Sequence, residues 1–132
     1  MKVIATRIKQ DLDLVHEIEK ICSDNNIQAG VILSGVGGLT KSKIRVPVID
    51  GNLQFVYPEN VEIVSMTGTV SVNGIHIHLS VSDVAGNVIG GHLKAGSTVR
   101  MTCELVIGIL ENIEFNREAD EETGYNELVV SF

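Results

Sequence analysis

The sequence predicts an α/β chain of the α+β type: a mostly antiparallel β-sheet packed with one main amphipathic helix and short helical pieces. Three observations carry that expectation. Val, Ile and Leu alternate with polar residues in one segment after another, the period-two pattern of half-buried strands. One stretch, residues 12–25, instead repeats its apolar residues at helical spacing. The chain has no Trp and only 4% aromatic residues, so Val, Ile and Leu must fill the core, and they favour strands when they alternate.

Residues 2–8 alternate as a first strand. Asp11 has the character of a helix N-cap, and Asp13 would favour the positive end of the helix dipole. Leu14, Val15, Ile18, Ile21 and Cys22 then form one apolar stripe, and Asn25 and Asn26 suit the helix end. Strand patterns dominate the rest of the chain: Val31 to Leu33, then Ile44, Val46 and Val48, a short strand from Leu53 to Tyr57, and a long one from Val61 to Val72. Gly74 opens another, and residues 88–93 and 97–110 supply two more. The segment from Ile113 to Phe132 is acidic in its middle and ends in a strand-like Leu128-Val129-Val130. Short turns between many strands argue for antiparallel pairing.

The 132 residues suit one domain, residues 1–132, with one core. Hydrophobic residues make up 44% and charged residues 20%, a balance that favours a packed core over disorder. The net charge of −7 makes the whole-molecule field unfavourable for a phosphate backbone. Cys22 and Cys103 stand in unrelated segments without a CxxC pattern, so both are expected as buried free thiols, which fits a reducing cytoplasm. The N-terminus lacks the long apolar stretch of a secretion signal, and no apolar run reaches membrane-spanning length.

The glycine cluster at Gly35, Gly37 and Gly38 matches neither GxGxxG nor GxxxxGK[ST]. The residues after it, Lys41 to Val46, alternate like a strand, so the helix N-terminus that would cradle a phosphate is missing. A glycine-bent strand corner is the expected structure.

Three of the four histidines fall between Gly74 and His92. In a strand His76 and His78 share one face, with Ile75, Ile77, Leu79 and Val81 on the other. A three-residue hairpin loop of Val84, Ala85 and Gly86, with Gly86 left-handed, would pair Asp83 with Asn87 and set His78 opposite His92; a two-residue loop would shift the register by one and turn His92 away, unless a bulge at Gly90-Gly91 restored it. Cross-strand partners hold their Cβ atoms about 5 Å apart, so three imidazoles converge. Three imidazoles suit zinc or a similar divalent metal ion, and three protein ligands leave one position for water or a substrate. The competing expectation is ordinary sheet histidines bonded to backbone or water. His16, on the helix, has no partner in the pattern.

Glu104 is a weaker candidate, as a general base or as a support for a metal ligand. Alternation puts it with Arg100 and Thr102, opposite Val99, Met101, Cys103, Leu105 and Ile107, and a salt bridge to Arg100 is the simpler expectation. Glu62 is similar with less to recommend it, Ser34 is not in a GxSxG elbow, and Glu118 to Glu122 reads as a solvated loop.

The strings Glu62 to Ser71, His76-Ile77-His78-Leu79-Ser80-Val81-Ser82-Asp83 and Gly86-Asn87-Val88-Ile89-Gly90-Gly91-His92-Leu93 resemble the core of the plants-and-prokaryotes-conserved (PPC) domain. Ala29-Gly30-Val31 through Leu39, Glu104-Leu105-Val106-Ile107 and the stretch from Asp120 to Leu128 are also similar, so the likeness covers nearly the whole chain. The HxH…GGH string is its most specific part. The resemblance implies a largely antiparallel sheet packed against helices and a homotrimer. It also implies zinc on the histidines matching His76, His78 and His92, as in prokaryotic members. Plant members join the domain to AT-hook motifs in nuclear DNA-binding proteins. This chain has no Arg-Gly-Arg-Pro hook, which with its charge argues against DNA as a partner.

Two functional readings emerge. One is a metal-centred site that binds or transforms a small molecule, since a bound metal can generate hydroxide or polarise a carbonyl. The other is a DNA-associated regulatory or protein-interaction module whose metal is structural.

Overall fold

The computed structural model describes residues 1–132. One helix and eight strands occur in the order β1 (Lys2–Lys9), α1 (Leu14–Asp24), β2 (Gly30–Arg45), β3 (Phe55–Val56), β4 (Glu59–Ser71), β5 (Gly74–Ser82), β6 (Val88–Ile109), β7 (Glu114–Ala119) and β8 (Asn126–Ser131). The expected α+β class holds, with α1 as the single helix and no short helical pieces beside it.

All pairings are antiparallel. Six strands lie in the order β1-β6-β5-β4-β2-β3, and β6 also pairs with β2. β2, β4, β5 and β6 therefore close a circuit of hydrogen-bonded neighbours. The inner face carries the core: Leu39, Ile44, Val61, Val70, Ile77, Val81, Val99, Leu105 and Ile107 are all buried. Each such side chain contributes roughly 1.5–3 kcal/mol by leaving water.

Helix α1 closes one side of this core with Leu14, Val15, Ile18 and Cys22. Its N-cap is Asp13 rather than Asp11. The Asp13 carboxylate accepts from the His16 amide at 3.1 Å and from the Gly96 amide at 2.7 Å, tying the helix start to β6. Asp11 takes a left-handed turn conformation instead (φ 71°). At the other end Asn25 donates to the Ile21 carbonyl and Asn26 is left-handed, as two asparagines there predict.

Two long strands replace several shorter ones expected from the sequence. β2 runs without interruption through the glycine cluster to Arg45, and β6 joins residues 88–93 to 97–110. Bulges absorb the irregularities. β2 shifts register on β6 between Gly37 and Gly38, so two residues of β6, Met101 and Thr102, have no partner there. Met101 is left-handed (φ 65°) and 69% exposed, so it leaves the buried row in which strict alternation places it.

β7 and β8 form a separate hairpin, and β7 has no counterpart in the strand pattern of the sequence. Phe115 is buried, its amide donates to the Gln28 carbonyl at 2.8 Å, and its carbonyl accepts from Asn73 Nδ2 at 3.0 Å. These contacts dock the hairpin beside the start of β5, where the histidines are. Both cysteines are buried and free, and burial pushes each thiol up to about 11. No helix is long and apolar enough to cross a membrane.

Candidate metal centre

The β5–β6 hairpin forms as its turn residues require. Asp83 and Asn87 close it, Gly86 is left-handed (φ 80°), and the Asp83 carboxylate accepts the Ala85 and Asn87 amides at 2.9 Å each. Those amides hold the Asp83 carboxyl below the usual carboxylate range. The resulting register places His78 opposite His92, with Leu79 opposite Gly91.

His76, His78 and His92 come together on the outer face of the sheet. Their ring centroids are 4.8–5.5 Å apart, His76 Nε2 and His78 Nε2 are 3.1 Å apart, and one ring nitrogen from each residue lies within 4.8 Å of the others. Around a tetrahedral zinc with Zn–N of 2.0–2.1 Å, ligand nitrogens sit about 3.3 Å apart. The His76–His78 pair is already close to that spacing. Three neutral imidazoles are an appropriate donor set for zinc and similar metals.

The surroundings of His76 and His92 favour their neutral rings. Burial, followed by the positive field of Lys94, His76 and Arg45, takes His92 down to about 4. Burial, then His78, Arg117 and Arg45, also lowers His76.

His76 and His92 open onto a cleft of about 470 Å³ whose other polar walls include Arg45 from β2, Lys94 from β6, Arg117 from β7 and Glu127 from β8. Arg45 Nη2 donates to His92 Nδ1 at 3.2 Å, and Arg117 Nη2 donates to Thr69 Oγ1 at 3.2 Å. The sequence pattern gives no weight to these cations. Lys94 is within its reach, since it stands two residues from His92 and so shares its strand face. Arg45 and Arg117 arrive only through long-range pairing and docking.

The other sequence candidates lie elsewhere. Glu104 is exposed, facing Arg7 on β1 and Val36 on β2, is not among the residues lining the cleft, and makes no ion pair with Arg100. Glu62 pairs across from Ser82, and His16 is on α1 with its ring 3.8 Å from the Asp13 carboxylate.

The profile of the Plants and Prokaryotes Conserved (PCC) domain matches residues 1–111, and the chain belongs to that family. Among solved structures, a hypothetical protein from Salmonella cholerae-suis superimposes with TM-score 0.90 at 33% identity, covering 98% of this chain and 93% of that one. A metal-containing protein from Archaeoglobus fulgidus superimposes with TM-score 0.82 at 29% identity, covering 98% and 94%. The Bifunctional protein GlmU of Synechococcus sp. (strain JA-3-3Ab) is 34% identical over 128 residues, 97% of this chain. The chain spans only 20% of that relative's length. The matched family span ends before the β7–β8 hairpin, which supplies Arg117 and Glu127 to the cleft.

Proposed function

We propose that this chain is a zinc-binding domain, one ion per protomer on His76, His78 and His92, and that the metal serves a small-molecule site. The observation that carries the reading is the convergence of three imidazole nitrogens within 4.8 Å, with His76 and His92 lining a cleft of about 470 Å³. That volume is of the order of small-molecule sites. A metal in the protein similar to this one from Archaeoglobus fulgidus supports the same reading. When bound, zinc held by three protein ligands supplies a Lewis-acidic position open to water or an oxygen donor. The three histidines would hold the ion, and Arg45, Lys94, Arg117 and Glu127 line the cleft beside it. The assembly we propose is the homotrimer that the family resemblance implies. Exposed Leu33, Val36, Val64 and Met101 are apolar surface that such an assembly can cover.

The test is metal content by mass spectrometry on untagged protein beside the double variant His76→Ala/His78→Ala. The expected result is close to one zinc per chain, lost in the variant. No metal in either form after zinc is offered would return the histidines to plain sheet surface and favour the interaction-module reading. Light scattering on the same samples tests the trimer.

A further inference from the structure

We propose that the cleft beside the three histidines binds a small organic carboxylate, gripped by Arg45, Lys94 and Arg117, and that metal loading strengthens this grip by freeing Arg45. Only the second half of this proposal rests on the metal-site reading.

The cleft gathers unpaired charge. Arg45, Lys94 and Arg117 come from three different strands, are each half-buried, and line one cavity. None has a carboxylate within 4.0 Å, since the ion pairs of the chain are Met1–Glu111, His16–Asp13 and Lys20–Asp24. The whole chain has 10 basic and 17 acidic side chains. Leaving three of the ten clustered and partly desolvated around a cleft with Glu127 as its one carboxylate, and none of them ion-paired, is costly in isolation. An anion in the cleft relieves all three at once.

The shape of the cleft narrows the class of anion. Leu53, Phe55 and Ile75 line it beside the cations. Apolar walls next to guanidinium forks fit a carboxylate on a short carbon body better than a bare inorganic ion.

The His92 ring couples the cleft to the metal. A guanidinium can only donate, so His92 Nδ1 accepts from Arg45 with its lone pair. If zinc takes Nδ1, that lone pair is occupied. If zinc takes Nε2 of the neutral ring, Nδ1 carries the proton and meets the Arg45 N–H head-on. In both tautomers metal loading removes the partner of Arg45, whose guanidinium is then available to a ligand beside the metal. Linkage requires the converse: the carboxylate tightens zinc binding by the same factor.

Succinate and inorganic phosphate, titrated calorimetrically into metal-free and zinc-loaded protein, test this. Succinate is expected to bind both forms, more tightly with zinc, and phosphate more weakly than succinate. Arg45→Gln/Arg117→Gln is expected to weaken succinate at least about tenfold in the zinc-loaded form, because charge-assisted hydrogen bonds are lost. Lys20→Gln is expected to change nothing. Circular dichroism verifies the fold of the double variant, and Lys94→Gln replaces it if the fold is lost. Equal succinate affinity in wild type and variants, or phosphate binding without succinate binding, overturns the carboxylate cleft while leaving zinc on the histidines intact. Arginine-dependent succinate binding in a wild type that takes no zinc overturns the metal reading and keeps the cleft. Succinate affinity indifferent to zinc overturns the release of Arg45.

Discussion

Replacing Gly91 with alanine tests whether the metal centre depends on strand packing rather than on the mere presence of three imidazoles. At Gly91 β6 runs between β5 and β2, with Leu79 opposite Gly91 on one side and Arg45 opposite His92 on the other. A Cβ on Gly91 would lie 2.5 Å from the Arg45 carbonyl oxygen and 2.9 Å from Ile44 Cγ2. Ordinary contact begins at 3.4 Å, so β6 and β2 must part by about 0.9 Å at the residue adjoining His92. Ile44 is fully buried, which leaves the carbonyl little room to retreat. Metal–ligand distances tolerate only about 0.2 Å. Disturbing the support of a ligand costs about 10–100-fold in metal affinity, and that is the loss expected for Gly91→Ala. Overpacking is also expected to lower the unfolding free energy by about 1–3 kcal/mol. Competition against a chromophoric chelator measures the first quantity, and urea denaturation of the metal-free protein measures the second. A folded Gly91→Ala with wild-type zinc affinity would refute the reasoning, because it would show that His92 reaches the ion without the close approach of β2.

Three further outcomes are expected. His78→Ala lowers zinc stoichiometry, measured by mass spectrometry, whereas His16→Ala does not, because His16 is on α1 outside the cluster; equal zinc in both variants contradicts the ligand set. Asp13→Ala costs about 1–2 kcal/mol in urea denaturation through loss of the helix cap, and an unchanged midpoint would show that its bonds to the His16 and Gly96 amides do not anchor α1. Acid releases zinc, since protons compete for the same lone pairs, and it also weakens the metal-free fold. With His92 down at about 4 against an ordinary 6.5, the unfolded chain takes up a proton that the folded chain refuses. Metal-free stability therefore falls as pH drops from 6.5 towards 4 and gains nothing from this group above that window. A urea midpoint that stays flat across that range in wild type, or falls equally in His92→Gln, would break the assignment.

The parts of this fold that are legible in the sequence are those encoded locally. Gly86 at the third loop position favours a three-residue hairpin over the two-residue alternative, and the structure adopts it with His78 opposite His92, so two of the three imidazoles are paired by the short stretch of chain between them. The apolar stripe of α1 is likewise local. β6 reads as two strands because Lys94-Ala95-Gly96 breaks the alternation. In the fold, Ser97 Oγ donates to the Lys94 carbonyl and accepts the Lys43 amide, so the strand continues through an irregularity that periodicity cannot represent. Met101 shows the same limit, since one left-handed residue turns a nominal core side chain outward. β7 is hidden because Glu114, Arg117 and Glu118 have the composition of a loop, and its strand character comes from β8 and from the docking of Phe115.

The charge of the chain shows why local and global readings must be kept apart. A net charge of −7 argues against a long polyanion, yet three cations meet at the histidines. The two facts are compatible if the ligand is small. The acidic run expected as a loop from Glu118 to Glu122 begins inside β7, where Glu118 pairs with Glu127, and only Asp120 to Glu122 lie in the β7–β8 connection, so acidic residues follow directly on Arg117. The field of the whole molecule acts on a long polyanion, whereas a short carboxylate in the cleft would meet chiefly Arg45, Lys94 and Arg117, with Glu127 beside them. On the proposed reading, the sign of the whole molecule and the sign of the site act together, disfavouring extended anions and favouring compact ones.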